Sequence, residues 1–524
     1  MSFVSWQFPF LLAFVVLIYW RLPHKYRLWL LLLASYTFYA FWDLRFLALI
    51  FSTTGVDFLC ALGIKGERRN LKKTLAVVFW PFGWLLGCFW LIPDSRIDGT
   101  MLLVALTASL VFLGFYLTIW RLRAEVRGRS FLLLSILFCL TILGFFKYFN
   151  FFLDSAGSVL SFFGLQPNWP SLQIILPVGI SFYTFQSLGY VVDVYRRQGE
   201  VCRDFLTFAV FDAFFPQLVA GPIERSRQLL PQLQQHLAFS AGNLQDGLVL
   251  ILTGLFKKVF VADNCALLAN YVFDPAAELN AYWALLGALA FAFQIYGDFS
   301  GYTDIARGSA RLLGINLTQN FRFPYLAMNP SDFWARWHIS LSTWFRDYVY
   351  IPLGGNRGTP GQTVRNLSIT MLLAGLWHGA SWIFVLWGAY HGFLLMLYRF
   401  GPLTCLNRQQ FSRQWQNWLA WLLMSSFTLL GWAIFRSPSL SHFWMWLTAL
   451  GHWGPVETPW LSSWWWLVMH VAPLILLQAV SLAADGETRL KPLPWRMRGV
   501  IYAAMILLIV SSTEHDQEFI YFQF

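Results

Sequence analysis

Apolar runs long enough to cross a hydrocarbon core of about 30 Å recur from one end of the chain to the other, separated by short loops that hold most of its basic residues. Within lipid every backbone N–H and C=O must be satisfied by the segment itself, and continuous apolar runs achieve this as helices. They do not alternate apolar with polar residues as membrane barrel strands do. The fold class expected is therefore an all-α polytopic membrane protein. Composition agrees: 57% of the 524 residues are hydrophobic and 12% charged, against roughly 25% charged in an ordinary soluble domain.

The net charge of +11 does not point to nucleic acid, because the Lys and Arg lie in short loops between apolar runs, where they set topology. Clusters at Arg21, Lys25 and Arg27, at Lys65, Arg68, Arg69, Lys72 and Lys73, and at Arg121, Arg123, Arg127 and Arg129 can all face the cytoplasm. Arg489, Lys491, Arg496 and Arg498 precede the last apolar run and belong inside by the same rule. Both termini are then expected outside. The first run, 8–20, lacks a basic segment before it and a small-residue cleavage site after it, so it reads as a retained helix.

The six cysteines show no CxxC spacing and read as small core residues. Aromatic residues make up 19% of the chain, with 28 Trp. That abundance suits both headgroup-level anchors and the lining of an internal cavity. No loop is long enough for a soluble domain, and the chain reads as one membrane domain over 1–524. It divides into N-terminal helices (1–130), a core (131–400), and C-terminal helices with an aromatic tail (401–524).

The middle third departs from simple spans. The run 172–192 carries Pro177, Gly179, Ser181, Thr184, Gln186 and Gly189, and 205–222 carries Asp212, Pro216 and Gln217. Breaks and polar groups at membrane depth need protein or a water-filled cavity over them, so broken or re-entrant helices around a cavity are expected. The stretch 332–350 mixes Trp, Arg, Asp and His too densely to span. It suits an interfacial or cavity-lining segment. The absence of two matching broken halves weighs against a transporter built from inverted repeats.

Among nine histidines, His24, His236 and His515 fall in polar stretches, and His442, His452 and His470 beside Trp-rich segments. His378 stands in an apolar stretch between Gly375 and Gly379. An ionisable residue at membrane depth is a functional candidate, with an imidazole hydrogen-bonded between helices as the plain alternative. His338, on the non-spanning stretch, reads alone as interfacial. Together the two can supply a general base and a group that positions or polarises the reactants. His391 reads as structural. Asp298 and Asp304 are candidates to orient a histidine, to pair with Arg307 or Arg311, or to line a cavity entrance. The sequence contains no HExxH and no GxSxG, which leaves zinc-protease and serine-hydrolase readings without their residues.

The stretches FFKYFNFF (145–152), ILPVGISFYTFQSLGYVVDVYR (175–196), FFPQLVAGPIER (214–225), YGDFSGYTDIARGSARLLG (296–314), NFRFPYLAMNPSDFWARWHISLSTWFRDYVYIPLGGNRG (320–358) and LWHGASWIFVLWGAYHG (376–392) resemble the membrane-bound O-acyltransferases, in the bacterial branch typified by alginate O-acetylase. The resemblance covers nearly the whole chain. It implies a ring of tilted and re-entrant helices around a central funnel, with the family's catalytic histidine at His378 and the second active-site polar residue at His338. It further implies a cytoplasmic acyl donor such as acetyl-CoA, no metal, and an extracytoplasmic glycan acceptor: alginate, another exopolysaccharide or peptidoglycan. An extracytoplasmic O-acetyltransferase partner would complete transfer, in the inner membrane of a bacterium.

An imidazole with an ordinary pKa near 6.5 suits proton removal from an attacking hydroxyl, and such a base contributes about 10²–10⁴-fold. Arg322, Arg336 and Arg346 are candidates for the donor's phosphates. The tail FIYFQF (519–524) is unusually aromatic for a terminus. It resembles the tyrosine-containing C-terminus of a small membrane partner of the related D-alanine exporters. Tyr521 is therefore a candidate to receive the acyl group or position its acceptor, with an interfacial anchor as the alternative.

Overall fold

The computed structural model describes residues 2–92, 96–165, 169, 172–407, 413–454, 464–483, 490, 493–512, 517 and 519–520. Among these, every regular element is helical. Among the described residues six helices are long and apolar enough to cross a membrane: Leu44–Ile64, Gly99–Trp120, Ala124–Phe162, Trp382–Phe400, Gln414–Arg436 and Trp464–Ala483. The pair Leu71–Val78 and Trp80–Leu91, bent by 51°, makes a seventh if it is one span. The chain is an all-α polytopic membrane protein, as its apolar runs require. The first and last runs form shorter helices, Gln7–Tyr19 of 13 residues and Trp495–Val510 of 16, or roughly 20 and 24 Å at the helical rise.

The helices gather into two compact units, Met1–Leu244 with Ser309–Leu317, and Gln245–Gly308 with Thr318–Phe524. In the first, helix Leu47–Ile64 is buried along nearly its whole length and packs against Ala124–Leu143, Ile180–Tyr195 and Phe205–Ala213. Its polar groups have partners, as burial demands. Thr54 donates to Asp212 at 2.5 Å, and Ser135 donates to Asp57 at 2.5 Å.

The expected breaks are present. Helix Ile180–Tyr195 starts after Gly179, which has φ +74°, and a Cβ there would lie 2.6 Å from the Leu218 carbonyl. Only glycine suits that turn. The run 205–218 breaks at Phe214, between helices Phe205–Ala213 and Phe215–Leu218. The break sends the Phe215 N–H to Ser35 Oγ at 3.0 Å and frees the Phe211 carbonyl. The side-chain amides of Gln186 and Gln217 donate to that carbonyl at 2.5 and 2.9 Å. The glutamines in these apolar runs are thus explained by backbone accounting, and residues 180–191 are covered by packed protein.

In the second unit, helix Ala241–Leu255 passes through a π-helical turn, Phe256–Ala262, and crosses the long helix Ala281–Leu312. The glycines of the GDFSGYTDIARG motif make the crossing possible. A Cβ at Gly301 would lie 2.7 Å from the Gly254 carbonyl, and one at Gly308 would lie 2.6 Å from the Gly247 carbonyl. Small residues let helix backbones meet in this way.

The stretch 332–350 is not one helix. It consists of Pro330–Trp334, a turn, Ile339–Phe345 and a π-helical turn Arg346–Tyr350. Helix Pro360–His378 follows, started by a reciprocal cap between Thr359 and Gln362, and turns back as Trp382–Phe400.

Candidate active site

His378 is the last residue of its helix, and its depth follows from the hairpin that it ends. The two helices meet through glycine: a Cβ at Gly375 would fall on the Phe384 carbonyl, and one at Gly388 on the Met371 carbonyl. Gly379 is needed for a similar reason, since a Cβ there would strike the Phe384 ring. The His378 side chain is 3% exposed. Its ring meets Trp387 edge to face at 4.8 Å and Phe435 at 5.3 Å.

His338 is held by a different device. It precedes helix Ile339–Phe345 with φ +42° and ψ 54°, a left-handed conformation that costs a non-glycine residue about 1–3 kcal/mol. Asn320 supports it. The Asn320 carbonyl accepts the Ile339 N–H at 3.0 Å, and its side-chain oxygen accepts the Ser340 N–H at 3.1 Å. One asparagine therefore occupies two of the donors that a helix start leaves open. The His338 ring is fully buried, edge-on to Phe299 at 4.6 Å and 5.7 Å from Trp377. It lies outside the membrane-crossing helices, and burial pushes its imidazole down to about 3. The resting ring is neutral.

Trp377 joins the two sites, because its indole also lies 5.0 Å from the neighbouring His378 ring. A cavity of about 730 Å³ opens on His378, a size within the range of small-molecule sites. Trp334, Ile339, Leu341, Phe345 and Met371 supply apolar lining, and Ser342, Thr343, Tyr350 and Thr370 supply polar groups. Arg346 and Arg399 bring two cations to it. His338 is not part of the lining, although Ile339, the next residue, is.

Of the three arginines marked in the sequence, the structure places Arg346 at the cavity, with Asp347 at 2.8 Å. Arg336 pairs with Asp332 at 2.7 Å, Arg322 donates its backbone N–H to the Arg336 carbonyl, and neither lines the cavity. Arg399 was not legible as a site residue. At the end of an apolar helix it reads as a topology signal. His391 is buried among Trp334, Trp387 and Phe333, at 5.0, 4.6 and 6.2 Å, a packing position. Asp304 pairs with Arg307 at 3.2 Å and also with Lys257 at 2.6 Å. Asp298 pairs with Lys258 at 3.1 Å, a cation that the sequence did not single out. Tyr521 lies outside the described residues.

A buried imidazole that lines a cavity together with cations and hydroxyls can deprotonate a hydroxyl beside a bound electrophile. Comparison with known proteins points the same way. Residues 202–431 match the model of the MBOAT, membrane-bound O-acyltransferase family. The chain is 36% identical to a probable alginate O-acetylase of Azotobacter vinelandii, over 92% of this chain and 84% of that protein. It is 33% identical to a peptidoglycan O-acetyltransferase of Helicobacter pylori, over 82% of this chain and 75% of that protein. It is also 29% identical to a teichoic acid D-alanyltransferase of Bacillus subtilis, over 53% of this chain and 73% of that protein.

Proposed function

The chain belongs to the membrane-bound O-acyltransferase family, and on that premise we propose that it moves an acetyl group from cytoplasmic acetyl-CoA to a hydroxyl of an extracytoplasmic polysaccharide. An alginate-like exopolysaccharide is the favoured acceptor, because several of the relatives are probable alginate O-acetylases. Peptidoglycan is the second acceptor class, as in the Helicobacter relative. The observation that carries the reading is His378 in the wall of a cavity that Arg346 and Arg399 also line.

In this reading the arginines meet the donor's phosphates by charge-assisted hydrogen bonds, and the thioester carbonyl sits beside His378. His378 takes the proton of the attacking hydroxyl as its oxygen bonds to the carbonyl carbon. The C–S bond then breaks, and the leaving thiolate receives the proton. His338, held in place by Asn320, positions or polarises the reactants. No metal enters these steps. Tyr521 is the first acceptor: its ester is attacked by the polysaccharide hydroxyl, and the phenol is restored. An extracytoplasmic O-acetyltransferase partner completes delivery in the complex. The whole chain, 1–524, works as one domain in a bacterial inner membrane, among its lipids, with both termini outside.

The test is release of free thiol from acetyl-CoA by the purified protein supplied with alginate or peptidoglycan fragments, with acetyl ester detected on the glycan. His378→Ala is expected to lower both signals by about 10²–10⁴-fold. Intact acetyl-CoA after incubation with folded wild-type protein would sink the proposal.

A further inference from the structure

Lys258 is among the most deeply buried cations of the chain, with its side chain 1% exposed. It stands in the π-helical turn Phe256–Ala262, a distortion that concentrates at functional sites. The glycine crossing brings this turn onto helix Ala281–Leu312 (a Cβ at Gly297 would lie 2.9 Å from the Lys257 carbonyl). The Lys258 ammonium reaches Asp263 at 2.7 Å and Asp298 at 3.1 Å.

Its remaining donor goes to the far end of the chain, bonding the backbone carbonyl of Gln517 at 2.7 Å. Asp298 completes the circuit, accepting the backbone N–H of Ile520 at 2.7 Å. One cation and one carboxylate therefore hold two main-chain groups of the tail, three residues apart. Between them Phe519 lies 4.2 Å from the ring of Tyr302 and 5.9 Å from that of Phe299. Phe519 and Ile520 are each 1% exposed. Phe299 is also the residue that meets His338 at 4.6 Å, so a continuous row of rings runs from the tail to the histidine.

An ordinary interfacial anchor needs none of this, because aromatic rings settle at headgroup level without buried ions. Burying an ion pair is costly unless further hydrogen bonds complete it, and here the tail's backbone supplies them. We propose that Lys258 and Asp298 form a receptor for the C-terminal tail, a positioning site that sets the tail in register with His338. The inference rests on the acyl-transfer reading for its purpose, since the dock ends one peptide bond before Tyr521. Lys258 and Asp298 are positioning residues and touch no substrate.

The dock is measured apart from activity, by maleimide labelling of Ile520→Cys, which keeps the backbone N–H, in a Cys405→Ser background that removes the exposed cysteine. Labelling is expected to be slow with Lys258, at least tenfold faster in Lys258→Met, and slow again in Lys258→Arg. In otherwise unaltered protein, Lys258→Met should lower turnover at least tenfold with the acetyl-CoA KM unchanged, and Lys258→Arg should restore it. If Lys258→Met does not accumulate, Phe519→Ala tests the same dock from the tail side and should speed labelling as much. Equal labelling rates with and without the lysine, or with and without the Phe519 ring, would overturn the inference. Full acyl transfer after deletion of 517–524, with the labelling difference intact, would instead overturn the tail's part in the reaction and leave the dock standing.

Discussion

His338 and His378 meet the same indole. Ring-centroid distances of 5.7 and 5.0 Å put Trp377 against both, although the two imidazoles reach it by unrelated routes: one from a strained turn, the other from a helix end. His378→Ala and His338→Ala are each expected to lower acyl transfer by about 10²–10⁴-fold in protein that still folds. The two differ in stability. A glycine at 338 relaxes the left-handed backbone, worth about 1–3 kcal/mol, so His338→Gly should unfold at a higher temperature than His338→Ala. The reverse order would contradict the strain.

The hairpin that carries His378 has no room for a methyl group at Gly375. Gly375→Ala is expected to force the helices apart and cost about 1–3 kcal/mol, with transfer lost alongside stability. Gly361, with open space around its Cβ position, is the control. Gly361→Ala should leave both unchanged, as thermal unfolding and thiol release would show.

The arginines separate by position. Arg346→Gln and Arg399→Gln, at the cavity wall, should raise the KM for acetyl-CoA by roughly tenfold each with kcat kept, an effect that shrinks at high salt. Arg322→Gln should change neither. A larger KM effect at Arg322 would move the donor site away from this cavity.

Tyr521→Phe deletes one hydroxyl and keeps the ring. Loss of glycan acetylation in this variant, with thiol release slowed at least a hundredfold, is expected if the phenol carries the acyl group. Full acetylation, with loss only on removing the whole tail, would leave the tail an anchor.

Topology is checked by cysteine accessibility from each side of the membrane. Positions among Lys65, Arg68 and Lys73 should label from the cytoplasm, as should Arg496 and Arg498. Positions near each terminus should label from outside. Cytoplasmic labelling near the C-terminus would remove the acceptor role of Tyr521.

Much of this protein was legible because lipid permits few backbone solutions. The apolar runs dictated helices, and the polar interruptions around Pro177 and Asp212 required breaks, which the structure places after Gly179 and at Phe214. An imidazole in an apolar run marked His378, and the density of charge marked the segment that carries His338. The sequence by itself therefore determined that the chain is an all-α membrane protein, where its apolar runs must break, and which histidines stand out, since these follow from local cost in lipid. The tertiary structure decided the rest: that both histidines share Trp377, that Arg399 joins Arg346 at the cavity while Arg336 turns to Asp332, and that Lys258 holds a carbonyl 259 residues away. Such pairings depend on glycine crossings and a π-helical turn that shift which side chains face each other. Hydrophobic periodicity carries no record of them, because it registers the face a residue occupies on its own helix and not the partner across it.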